Sequence, residues 1–418
     1  MCKTMYRAVR LKMEENMGTE NNELLDGQQS DDEGIFGEAL ADGMGFLTRF
    51  WEEKYLKEYI RDGGSKIKFI TGRPGSGKTY FLQQMTNLAQ QENYKTVWFS
   101  AKDIWMHDFK EIYVEIFHQC DILECLEKIS HTLIADMGFD SRDIPAGMRF
   151  IDYLSQNGMG DALTKREIRA QLKQIFLDNP LLDNNFALAC SMLTGGILGY
   201  PVLEAKNRDM LLAWLEGDRM IKLSQLRALG FFPNRITKFN ARHMLRSLAE
   251  IVRLGGDSGI FVTIDDLEML ISRSSLEAVH YTKMKREDTY ESIRQLIDDI
   301  DSMKNIMFAY AFDRELMDNE NAGLKSYQAL WMRIQNEIVG ERFNRFADMV
   351  DLDRLAAQEY TPEVIMEISK SFAGAQNQVS MQVLDYGRAK EIAEMAHTGA
   401  VGILRLIQMA MQEVREDV

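Results

Sequence analysis

Cysteine is scarce in this chain: Cys2, Cys120, Cys125 and Cys190 are the only four in 418 residues, with no CxxC pair among them. Four thiols cannot staple a chain of this size, which points to a reducing, cytosolic setting and to a fold held by its core. Metal-ligand spacing is missing too. The six histidines form no HExxH or H-x3-H pattern, so transition-metal chemistry is not indicated. The basic start MCKTMYRAVRLKM has no apolar run behind it and does not read as a secretory signal. One apolar stretch, residues 186–203, is broken by Gly195, Gly196, Gly199 and Pro201, so it reads as a buried helix and turn, and no membrane partner is expected. There is no basic excess either. The 49 Lys+Arg against 64 Asp+Glu give a formal charge of −15, which excludes a general nucleic-acid coat. Hydrophobic residues at 45% and charged residues at 27% nevertheless match a soluble globular chain with a large core.

The first forty residues differ from the rest. Between residues 14 and 42 there are ten acids and no Lys or Arg, with too few apolar side chains to offset the entropy of ordering. Residues 1–42 therefore read as a flexible acidic tail. Beyond it, short apolar runs at residues 66–71 (KIKFIT), 96–100 (TVWFS), 260–264 (IFVTI), 306–312 (IMFAYAF) and about 349–352 alternate with helical patterns. Such alternation predicts an α/β fold, with a five-stranded parallel sheet covered on both faces. About 160 residues separate the second run from the third, where one crossover needs about a dozen. Their periodicity is helical, which places a large helical insertion within residues 101–258 of a core spanning 43–356. Residues 357–418, opened by Thr361-Pro362 as N-cap and first helical position, read as a C-terminal helical lid.

Gly72-Arg73-Pro74-Gly75-Ser76-Gly77-Lys78-Thr79 fits G-x-x-x-x-G-K-[ST] between a strand and a helix that continues with Tyr80. Glycines let consecutive N–H groups curl around phosphate oxygens at the positive end of the helix. Lys78 supplies charge to the β/γ-phosphates of ATP, and the Thr79 hydroxyl is a Mg2+ ligand. The apolar run IFVTI leads directly into Asp265-Asp266, with Glu268 two residues on. A buried strand ending in an acid places Asp265 where it can orient Mg2+. Asp266 is suited to polarise an attacking water, with Glu268 as the longer-reach alternative. A GTPase would carry an N/T-K-x-D signature, and none is present. A small-molecule kinase would need an acceptor motif, and none can be named.

Together, GRPGSGKT, IFVTIDDLE, IMFAYAF followed by Asp313, and ERFNRFADMVDLDRL resemble an AAA+-type P-loop ATPase. The segments MLLAWLEGDRMIKLSQLRALG, NARHMLRSLAEIVRLGG and LKSYQALWMRIQNEIVGERF are further similar to the BREX-system ATP-binding family, phage-defence proteins usually encoded beside a helicase. That resemblance implies a cytoplasmic ATPase that assembles as a homo-oligomer and works with DNA or a helicase partner. It implies that Asp313 touches the γ-phosphate or the lytic water. It also implies an arginine finger at Arg345, with Arg342 as the neighbouring choice, and a sensor arginine, Arg405, in a G-x-x-R over the phosphates. Aspartate at position 266, where the family pattern often has glutamate, implies slow turnover. A nucleotide-gated switch that hydrolyses little is the alternative.

A basic band interrupts the acidic chain. From residue 219 to 253 there are eight cations (Arg219, Lys222, Arg227, Arg235, Lys238, Arg242, Arg246 and Arg253) against the single acid Glu250, interleaved with Phe231, Phe232 and Phe239. On a helix, Arg242, Arg246 and Arg253 align opposite Met244, Leu248, Ile251 and Val252. That stripe is a candidate DNA contact, a solvated helix face, or a row of partners for acidic neighbours on the core.

Overall fold

A computed structural model describes residues 45–272, 279–335, 344–375, 383–398 and 401–413. The acidic tail and Arg342 lie outside the described residues. The described chain divides into two compact units. One comprises Phe50–Gly72 and Lys78–Asp351; the other takes in Arg73–Gly77 and the segment from Leu352 onward.

The first unit is built on five parallel strands: β1 (Ser65–Gly72), β2 (Tyr94–Ser100), β3 (Gly259–Asp265), β4 (Ile306–Asp313) and β5 (Met349–Asp351). Their order across the sheet is β2-β3-β4-β1-β5. Every residue of β3, and all but the last of β4, is buried, as expected of strands covered on both faces. Register brings Gly72 opposite Asp313, Ser100 opposite Asp265 and Thr71 opposite Asp351. The polar ends of all five strands therefore share one edge, where open parallel sheets bind ligands.

Lys68 in β1 is fully buried. An isolated buried ammonium would cost several kcal/mol. Here its Nζ donates to the carbonyls of Phe346 (2.9 Å) and Ala347 (2.7 Å), lies 3.2 Å from Asp348, and sits 4.6 Å from the Tyr55 ring. It thereby pins the segment leading into β5. Trp51, just before helix α1 (Glu52–Ile60), packs edge-on against Phe81 of α2 (Lys78–Gln91).

Between β2 and β3 the chain is helical, as its periodicity predicts. Its α-helices there are α3 (Phe109–Cys120), α4 (Ile122–Asp136), α5 (Phe150–Gln156), α6 (Ala162–Leu172), α7 (Asn184–Leu198), α8 (Ala205–Leu215), α9 (Leu223–Arg227) and α10 (Ala241–Leu254). Aspartates start several of them: Asp108, Asp121, Asp161 and Asp183 each accept a first-turn N–H. The apolar stretch at 186–203 is α7, closed by Gly199 in the left-handed region at φ 84°. Among the described residues no helix is long and apolar enough to cross a membrane. Helix α10 buries Met244, Leu248, Ile251 and Val252 against α3 and β3.

Its arginines are not a free stripe. Arg242 pairs with Asp299 at 3.0 Å and Gln295 at 2.6 Å, Arg246 donates to the carbonyls of Leu181 and Pro180, and Arg253 grips Glu250 at 2.7 Å. The three arginines share one side of the helix, but Arg242 and Arg246 are engaged by other elements and Arg253 by Glu250 one turn back on α10.

After β3 the first unit continues with α11 (Lys283–Asp299), α12 (Arg314–Asp318) and α13 (Gln328–Ile334). The second unit contains α14 (Leu352–Glu359), α15 (Pro362–Ala375), α16 (Tyr386–Thr398) and α17 (Ile403–Glu413). Thr361 Oγ1 accepts the Val364 N–H, so Thr361-Pro362 does open a helix. Ile365, Ile368, Ala389, Ile392 and Ile407 are all buried in this unit.

Candidate functional site

At the sheet edge, α2 begins directly with Lys78 and Thr79. Lys78 Nζ lies 2.7 Å from Asp313 Oδ1 at the end of β4 and donates to the Gly72 carbonyl at 3.2 Å. The Thr79 hydroxyl donates to Asp265 Oδ2 at 2.8 Å, while Asp265 Oδ1 accepts the Asp266 N–H at 2.8 Å. Burial pushes the Asp265 carboxyl above its ordinary range, and the Thr79 hydrogen bond opposes this. A charged Asp265 thus gains from a cation placed beside it. Tyr80 follows, its phenol raised by burial.

The two candidate bases stand in different surroundings. Asp266 occupies the left-handed region at φ 59°, a conformation aspartate tolerates better than most residues. Its carboxylate is held by Ser100 Oγ at 2.6 Å and Lys102 Nζ at 2.7 Å. Glu268 is raised to about 6 by burial, with the Asp313 carboxylate adding to the shift. Its Oε2 accepts the Asp313 N–H at 3.1 Å. Spacing alone did not reveal Ser100 or Lys102. Their role depends on β2 lying beside β3, with Ser100 in register with Asp265.

In the second unit, Gly75 and Gly77 take φ values of 79° and 94°. Left-handed geometry at these two positions is what a glycine supplies cheaply. The Arg73 N–H donates to Asp353 Oδ2 at 2.9 Å, and Ser76 N–H closes a turn onto the Arg73 carbonyl at 3.1 Å. The residues that open α17 are clamped to this loop: Gly402 N–H donates to the Pro74 carbonyl at 2.9 Å and Arg405 N–H to the Gly75 carbonyl at 3.2 Å. A Cβ on Gly75 would collide with the Cβ of Arg405, and one on Gly402 would collide with the Ser76 backbone. Ser76 Oγ is buried without a hydrogen-bond partner. The Arg405 side chain is exposed and makes no ion pair among the described residues.

A family model, the BREX system ATP-binding protein BrxC/D, matches residues 53–402. The chain belongs to this family. It is an ATP-binding protein of phage defence by that membership. No curated protein and no solved structure matches the chain. The matched span contains the loop, Asp265, Asp266, Glu268 and Asp313, and ends at Gly402, where α17 meets the loop.

The remaining predicted residue of this BREX protein stands apart. Arg345 is exposed, with its guanidinium 5.8 Å from the Phe50 ring. It makes no hydrogen bond or ion pair with Lys78, Asp265, Asp266 or Asp313. Among the described residues no cluster of three or more His, Cys, Asp or Glu side chains could hold a metal by itself.

Proposed function

We propose that this BREX ATP-binding protein is a Mg2+-dependent ATPase of the AAA+ type, assembling as a homo-oligomer and acting on DNA or with a helicase partner. One observation carries the reading: Lys78, Thr79, Asp265 and Asp313 converge at the carboxyl edge of a sheet ordered β2-β3-β4-β1-β5. The donor set fits the ligands. Thr79 and Asp265 are hard oxygen ligands of the kind that would hold Mg2+. Bound there, Mg2+ would neutralise phosphate charge. The buried, unpartnered Ser76 hydroxyl and the left-handed glycines suit a phosphate-lined loop.

Lys78 exchanges Asp313 for the β/γ-phosphates, and the released Asp313 orients the attacking water. Asp266 or Glu268 takes the proton. Arg405, in the second unit, is tied through its backbone N–H to the Gly75 carbonyl and takes the sensor role that the family resemblance implies. Arg345, exposed beside Phe50, is available to a neighbouring copy of the chain.

A second reading, the nucleotide-gated switch, is favoured by the hold of Ser100 and Lys102 on Asp266, which restrains a base. Steady-state ATPase rates for wild type and Asp266→Ala, with and without double-stranded DNA, separate the two. Strong stimulation by DNA contradicts a pure switch. Absence of turnover under every condition contradicts the ATPase.

A further inference from the structure

The basic band divides in two once its contacts are known. Arg242, Arg246 and Arg253 on α10 are engaged, and Arg219 lies within 3.4 Å of Glu111 and 3.7 Å of Asp108. Lys222, Arg227 and Lys238 are exposed and have no carboxylate partner among the described residues. Arg235 spends its guanidinium on the carbonyls of Arg219 (2.8 Å) and Ile221 (3.1 Å), which leaves its charge uncompensated. No acid occurs between residues 219 and 249.

The same segment displays three large apolar side chains: Met220 is 84% exposed, Phe232 68% and Phe239 83%. Single exposed apolar residues are ordinary, but three within about twenty residues, among unpaired cations, are not scatter. The surface is also braced. Phe231 packs edge-on against Trp214 at 4.9 Å, Trp214 Nε1 donates to the Asn234 carbonyl, and Arg235 ties residues 219–221 to its own strand of chain. Asn240 accepts the Thr237 N–H at 2.7 Å and donates to the Arg235 carbonyl. Lys238 Nζ sits 5.4 Å from the Phe239 ring, so a cation and an aromatic face are presented together.

We infer that residues 219–240 form a binding surface for single-stranded nucleic acid, with bases stacking on Phe232 and Phe239 and phosphates meeting Lys222, Arg227 and Lys238. Charge complementarity selects a polyanion. The rings select one with free base faces, because a duplex keeps its bases stacked internally and offers a cationic surface only phosphates. The surface shares no residue with the nucleotide site, and the inference does not rest on ATP binding.

The test is fluorescence anisotropy with a dye-labelled oligothymidine of about 20 nucleotides, and with a duplex of equal length, titrated with the full chain. The expected result is tighter binding of the single strand than of the duplex. Each Phe→Ala change at 232 or 239 should weaken the single-strand complex by about 5- to 150-fold. The triple variant Lys222→Gln, Arg227→Gln, Lys238→Gln should flatten the slope of log affinity against log salt by about 2. All these side chains are exposed, so circular dichroism should match wild type. Lys78→Ala should retain oligothymidine binding, which separates failure here from failure of the nucleotide site. No binding of oligothymidine by wild type, or equal binding of duplex with Phe232→Ala and Phe239→Ala silent, overturns the inference and leaves a protein-docking surface in its place.

Discussion

The contact between α17 and the glycine-rich loop can be broken by adding one methyl group. In Gly402→Ala the new Cβ would lie 2.5 Å from Ser76 Cα and 2.6 Å from the Gly75 carbonyl carbon. Ordinary contact begins near 3.4 Å, and both neighbours are backbone atoms that cannot rotate away. Overpacking of this kind costs about 1–3 kcal/mol, and the helix relieves it by lifting off the loop. Lifting also breaks the Gly402-to-Pro74 and Arg405-to-Gly75 hydrogen bonds, each worth about 0.5–1.5 kcal/mol. Steric relief and bond loss are alternatives rather than additive, so the working range stays at about 1–3 kcal/mol. If nucleotide binding uses the docked arrangement, the dissociation constant for Mg-ATP rises about 5- to 150-fold. Titration calorimetry on the full chain measures this, with Arg405→Ala separating loss of the charge from loss of the contact. A Gly402→Ala protein of native circular dichroism that binds Mg-ATP like wild type would show that docking of α17 contributes nothing to nucleotide binding.

Two further outcomes follow from the carboxylates. Glu268 is held at about 6 in the folded protein against 4.5 as the reference, so the folded state binds its proton more tightly. Its contribution to stability is full below about pH 4.5 and lost as pH rises through about 6. Between about pH 4 and pH 7 the stability difference between wild type and Glu268→Gln should shift by about 2 kcal/mol against wild type. Urea unfolding at the two pH values checks this, and a constant difference contradicts it. Removing both restraints on Asp266, in Ser100→Ala with Lys102→Ala, should raise steady-state ATPase turnover. The exposed Lys102 pair is worth under about 1 kcal/mol and the Ser100 bond to a carboxylate about 1.5 kcal/mol, so the gain is about 10- to 70-fold. A rate that falls or stays level assigns Ser100 and Lys102 to positioning the active base.

The sheet was legible because its strands are buried on both faces and so appear as uninterrupted apolar runs; β3 and β4 came out within a residue or two. That Thr79 and Asp265 meet at the sheet edge, with Lys78 opening the adjoining helix, was legible from a glycine-rich strand-to-helix turn and an apolar run ending in an acid. Contacts between distant segments were not. Ser100 and Asp266 are 166 residues apart, and nothing local marks that β2 lies beside β3. Arg73 and Asp353 are 280 residues apart and meet through the second unit. Two α10 arginines show the same gap in the other direction: helical spacing found the side they share, while Asp299, which holds Arg242, and the carbonyls of Pro180 and Leu181, which hold Arg246, come from other elements. Lys68 falls inside a run read as apolar, and the groups that accommodate its buried charge, among them the carbonyls of Phe346 and Ala347, come from a segment some 280 residues away.

ATP binding through Lys78 is the claim on which the other assignments depend. Equilibrium titration of Mg-ATP against the full chain and against Lys78→Ala tests it most directly. Saturable binding by wild type, lost in Lys78→Ala with circular dichroism unchanged, is the predicted result; retained affinity in Lys78→Ala would contradict it.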